Sequence, residues 1–441
     1  MDYLAAAASL LLVSMGIAGC EDGRVRGPKV GVRVVHAAPT TGEIAFRREE
    51  REEASLSYAQ ASGELLFDAD RYDFNVDVAE TATGTSARRV TFSQELVGDN
   101  EYLFVLTEVA GLVQPMIFEK PVFESTSDAE VTAVHAASSV GSVDVYLEPP
   151  GADLTTAVPL GAVAFGGVLD PATRPAGDYR LTLTESGAAS NVMLSSGTVP
   201  LGAGGSVAFV IVDGTAESTA PFAVVPAGTI ASLLVDRSTQ SAFQVVNAAA
   251  DTAARDVFVD GDFTSPALAA LEFATPSPAT PIAAGAREIS VTPAGNPGVV
   301  EVEHEFTAAR GLIYTLLIAG EPGGLSVGSA ANQAREIAGI ARIRFMNGAS
   351  QVTPLDIFLV PPDTDVTNRP PLFTLQAAGI SQRIGATPDD YELVLRDADT
   401  DAIVAGPEPL TLAEGVFTIL AVNGATPGTV DIVLLDDTAS P

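Results

Sequence analysis

The chain has 441 residues and carries 56 Asp+Glu against 23 Lys+Arg, a net charge of −33 at pH 7. A surface this acidic repels phosphate backbones, which argues against nucleic acid as a partner; 29 Pro, 40 Gly and no Trp among 47% apolar residues favour strands and turns over long helices. A single cysteine, Cys20, cannot build an internal disulfide framework, and no apolar run past the N-terminus reaches the roughly 18 residues of a membrane span.

Residues Tyr3 to Gly19, YLAAAASLLLVSMGIAG, form an apolar stretch that ends in small residues and is followed at once by charge. The run Ile17-Ala18-Gly19-Cys20 resembles the bacterial lipobox. The resemblance implies a signal peptide over 1–19 and a Cys20 thiol that carries a diacylglyceryl group and anchors the chain in a lipid bilayer. Residues 20–29 then form a polar linker. Met1-Asp2-Tyr3 lacks the basic residue expected ahead of such a stretch. That leaves open a start further upstream, or a plain signal peptide with no lipid.

Internal repetition organises the rest. Four segments open alike: VRVVHAAP from Val32, VTAVHAAS from Val131, FQVVNAAA from Phe243 and IRFMNGAS from Ile343. Their fifth residues are His36, His135, Asn247 and Asn347, at intervals of 99, 112 and 100 residues. Each opening alternates with a period of two, the pattern of a half-buried strand. Next come Asp144-Val145-Tyr146-Leu147, Asp256-Val257-Phe258-Val259 and Asp356-Ile357-Phe358-Leu359, with Glu43-Ile44-Ala45-Phe46 in the first unit. A turn-and-strand block follows: ADRYDFNVD, AGDYRLTLT, AGAREISVT and PDDYELVLR. An apolar run then closes on Gly111, Gly214, Gly320 or Gly424.

The pattern predicts an all-β chain of four tandem immunoglobulin-like antiparallel β-sandwich domains, over 30–127, 128–237, 238–339 and 340–441. The first is the most divergent, with RREEREE at Arg47 where a solvated loop or one helical turn is expected. The VHAAP, DVYL and AGDYRLTL blocks resemble a bacterial family catalogued as domain of unknown function 4397. That resemblance implies a sandwich-like secreted or surface domain and no activity.

Few constellations suggest chemistry. His36 and His135 share their position with Asn247 and Asn347; Asn offers His-like donor and acceptor geometry but no proton transfer, so a structural hydrogen-bonding plug is expected rather than catalysis. His304 alternates with Glu301, Glu303 and Glu305 and reads as part of a solvated strand face. Gly324-Leu325-Ser326-Val327-Gly328 fits the nucleophile-elbow pattern, but no histidine follows Ser326 in the chain. Asp397, Asp399 and Asp401 stand at calcium-loop spacing with Glu408 behind them, although Ala402 occupies the glycine position; an acidic hairpin turn is the alternative. No catalytic residue and no cofactor are expected, and calcium is the only ion with a ligand set in view.

The sequence thus points to a non-catalytic lipoprotein of the cell envelope, displaying its domains structurally or adhesively at the outer membrane or cell surface, or else periplasmic or secreted. Four rigid domains in file would span on the order of 100 Å. The alternative is a module that binds a glycan, calcium or an extracellular protein through loops at the sandwich ends; an exported hydrolase is a distant third.

Overall fold

The structure, a computed structural model, describes residues 28–79, 87–230 and 232–436. Cys20 and the lipobox lie outside these residues. Every regular element among them is a strand. The first repeat contains β1 (Lys29–Ala37), β2 (Ile44–Arg48), β3 (Arg51–Leu56), β4 (Leu65–Asp68), β5 (Arg71–Ala79), β6 (Ala87–Glu95), β7 (Asn100–Val109) and β8 (Leu112–Pro121). They form two four-stranded sheets, ordered β4-β1-β7-β8 and β3-β2-β5-β6. The same two orders recur in the other three repeats, with the β4 counterpart of the fourth split into two short pieces. Each repeat encloses its own core; in the first, Phe74 meets Phe46 at 5.2 Å and Phe104 at 5.3 Å between ring centroids.

The four sandwiches are present, but they are not purely antiparallel. Strands β1 and β7 run parallel, with Val34 opposite Phe104. The corresponding pairs of the later repeats are parallel too, with Val134 opposite Val210, Val245 opposite Leu316 and Phe345 opposite Ile419. A parallel neighbour needs a long crossover. Here the chain makes it by visiting the second sheet between the two strands.

Sheets centred on parallel pairs are usually covered on both faces, and these are. Val32 and Val34 of β1 face the core of the first repeat, while Val35 and Ala37 join Val134, Ala136, Val210 and Val225 of the second in a separate apolar layer. Val246, Ala248 and Leu317 of the third repeat likewise meet Met346, Leu420 and Val422 of the fourth. The units therefore pack inner sheet against inner sheet, as two pairs. This corrects two expectations: the opening strands have no solvated face, and the repeats do not stand in single file. Alternation with a wet face survives in the second sheets, as along Val302–Ala308, where Glu303, Glu305 and Thr307 are exposed.

The segment between the third and fourth repeats ties the pairs together. Arg335 donates from Nη1 to the Pro39 and Thr41 carbonyls of the first repeat, at 2.8 and 2.7 Å, and its guanidinium lies 5.2 Å from the Tyr58 ring centre. The Tyr58 hydroxyl in turn donates to the Asp213 carbonyl of the second repeat at 2.6 Å. Elsewhere Arg383 holds the Asn332 carbonyl from the fourth repeat at 2.9 Å.

Candidate functional site

The recurring His/Asn position is fully buried in all four repeats. His36 Nδ1 lies 3.3 Å from the Ala38 amide, which makes it the acceptor and leaves Nε2–H to donate to the Gly42 carbonyl at 2.8 Å. His135 Nε2 stands 2.9 Å from the Gly141 carbonyl. Asn247 donates to the Ala253 and Leu271 carbonyls and accepts the Ala249 amide. Asn347 donates to Leu375 and accepts the Ala349 amide. A side chain at the end of the opening strand thus satisfies backbone groups that leave the ladder as the chain turns away. Burial holds the His36 imidazole neutral, its pKa pushed down to about 4. With both nitrogens engaged by the backbone, it faces no substrate-accessible space.

Two further recurring positions do comparable work, and repetition alone gave no hint of their partners. Asp144 accepts Ser186 Oγ at 3.0 Å and the Gly187 amide at 2.8 Å. Asp256 accepts the Ala270 and Gly295 amides at 2.7 and 2.8 Å, and Asp356 accepts Thr374 Oγ1 and Arg396 Nη2 at 2.6 and 2.7 Å. Asp144 thus fixes one turn of the second sheet, while Asp256 and Asp356 each join two segments that are distant in sequence. In the turn-and-strand block, Tyr72, Tyr179 and Tyr391 donate to the carbonyls of Asp68, Pro175 and Thr387, four residues back. Arg287 stands where the third repeat has no tyrosine, and its Nε reaches the Ala283 carbonyl at 2.7 Å, again four residues back.

The remaining candidates are dispersed. Asp397 Oδ1 accepts the Asp399 and Thr400 amides, which holds its carboxyl below the ordinary range. Asp401 has a left-handed backbone, φ 58°, and pairs with Arg396 at 3.3 Å, while Glu408 lies on the next strand opposite Leu393. The geometry is that of a hairpin turn, and among the described residues no three His, Cys, Asp or Glu side chains group as metal ligands. Ser326 begins a strand and pairs with Ala319, so it does not occupy a strand-to-helix elbow. His304 is half-buried, stacked on Phe306 with its Nε2 3.0 Å from Ser329 Oγ, which corrects the solvated-face expectation; burial lowers its pKa. RREEREE forms neither loop nor helical turn. It is the β2–β3 hairpin, where Arg47 and Glu52 pair across the strands at 2.8 Å.

A cavity of about 270 Å³ opens between the inner sheets of the first two repeats. Its basic groups are already paired: Glu101 meets Arg33 at 3.6 Å and Lys120 at 3.1 Å, and Lys120 also pairs with Glu130. Leu103, Phe118 and Val134 form apolar wall. The arrangement joins two sheets, with the exposed Asp170 at its rim.

A family model described as "Domain of unknown function (DUF4397)" matches residues 30–146, 129–231 and 241–358. No curated protein matches the chain. Among solved structures, "The Bacillus anthracis TIE protein" is similar at 8% identity with a TM-score of 0.17, over 86% of this chain and 66% of that protein.

Proposed function

We propose, from the premise that the chain belongs to the DUF4397 family, that it is a non-catalytic display protein of the cell envelope, held to a bilayer by acylated Cys20. The observation that carries the reading is the internal use of its recurring polar residues. The His/Asn plug, the second-sheet aspartate and the Tyr/Arg donor all bond within the fold. Recurrence at those positions therefore reflects the demands of a sandwich more than those of a reaction. The lipobox-like run ahead of a polar linker supplies the anchor, and an acidic exterior keeps the displayed protein soluble.

Two measurements on cells test this. Mass spectrometry of the mature protein should find an N-terminal Cys20 bearing acyl chains, and protease added to intact cells should cleave the repeats. A mature N-terminus elsewhere removes the anchor. Repeats that stay protected until the outer envelope is opened remove the surface display.

A further inference from the structure

Arg180 stands out among the guanidinium groups. Arg47, Arg255, Arg287, Arg335 and Arg396 are held by carboxylates or carbonyls. The Nε of Arg180 is buried without a hydrogen-bond partner, as are those of Arg335 and Arg396, but unlike them Arg180 enters no ion pair or side-chain hydrogen bond among the described residues. Glu148 stands opposite it across the strand pair yet does not bridge to it. Arg180 lies in a cleft of about 420 Å³ on the outer face of the second repeat's second sheet. One wall is the loop carrying Pro149 and Leu154; the other is the connector to the third repeat, carrying Arg237. Thr182, Val192 and Ser195 complete the floor. The acid on the connector is not available to Arg180. Asp236 accepts the Ser195 amide at 2.6 Å on one oxygen, and the Ser238 amide at 2.7 Å and hydroxyl on the other.

We propose that this cleft binds an acidic sugar of the uronate class. A guanidinium without an internal partner offers a planar fork that matches a carboxylate. Glu148 and the Thr182 and Ser195 hydroxyls suit ring hydroxyls, while Leu154 and Val192 give an apolar face for the ring. The volume falls within the range of small-ligand sites, roughly 300–1,000 Å³. The inference does not rest on the anchor and extends the display role to a site.

Calorimetric titration of the full chain with sodium glucuronate, with glucose as the neutral control, tests it. Saturable glucuronate binding is expected with none for glucose. Arg180→Gln should weaken binding about tenfold or more, the effect of losing a charge-assisted pair. Arg71→Gln, on an exposed guanidinium of the first repeat, should leave it unchanged. If Arg180→Gln melts abnormally, Arg237→Gln on the opposite wall serves in its place. A galacturonate oligomer that binds more tightly than the monomer assigns the site to a polysaccharide; equal binding assigns it to the free sugar. Absence of saturable binding, equal binding of glucose, or full affinity in Arg180→Gln overturns the proposal.

Discussion

A buried histidine with both nitrogens engaged by backbone makes a pH-dependent contribution whose sign is fixed. Folded His36 stays neutral down to about 4, whereas the unfolded side chain takes up a proton near 6.5. Between those values the unfolded state binds more protons, so stability falls as the pH drops. The loss across that window is about 3 kcal/mol, from about 1.4 kcal/mol per unit. His36→Asn keeps one donor and one acceptor, as Asn247 and Asn347 do. It should melt nearly as the parent does at neutral pH and lose this part of the acid sensitivity. Denaturant titrations repeated across the window measure both, and an unaltered acid slope would sink the assignment. The alternation of His with Asn in the sequence signals that one donor and one acceptor suffice at this position. The carbonyl each one meets was not legible, because it lies six to 28 residues away, on a loop or at the end of a short strand.

At the scale of the element, the strands were readable and some of their neighbours were not. Period-two patterns and turn residues locate strands because side chains alternate and Gly or Asp tolerates the turn. Direction of pairing leaves no such trace. Val34 would be equally apolar beside a parallel or an antiparallel Phe104. RREEREE misled for a related reason, since opposite charges a few residues apart suit a helical turn and a hairpin alike, and only the observed Arg47–Glu52 register decides. The aspartate of the second sheet lends itself to a direct measurement. Asp256 is 6% exposed and accepts two amides, one from the short strand at Ala270 and one from the turn at Gly295. Asp256→Ala leaves both amides unpaired and should cost about 2–3 kcal/mol of stability. Hydrogen exchange should quicken first at Ala270 and Gly295; unchanged protection there would show that the carboxylate does not hold those segments.

For the whole molecule, the sequence revealed the four units but not their pairing. Residues such as Val35 and Ala37 look like core wherever they are placed, and nothing in a strand's composition says which sheet will cover it. Arg344 illustrates the difficulty: an arginine in a strand reads as a solvent-facing residue, yet its side chain is fully buried beside Thr315 of the third repeat, 3.1 Å away. The pairs meet at the Arg335 segment and again where Ser218 and Thr219 of the second repeat bond Leu312 and Gly311 of the third, and loss of the first contact should loosen them. Arg335→Ala is expected to speed exchange at Ala38–Gly42 and to broaden the calorimetric melt toward two transitions. A single transition at the parent temperature would show that the pairs are coupled by other means.

The double-sided inner sheet also constrains how such a chain can lengthen. Each apolar outer layer, Val35 and Ala37 in one pair or Val246 and Ala248 in the other, is complete only when two units face each other. A lone extra copy would carry that layer into water, where it would recruit a second molecule or aggregate. Duplication within this architecture is therefore stable by twos: the heritable module is the couple, and even repeat numbers are what selection on solubility should leave behind.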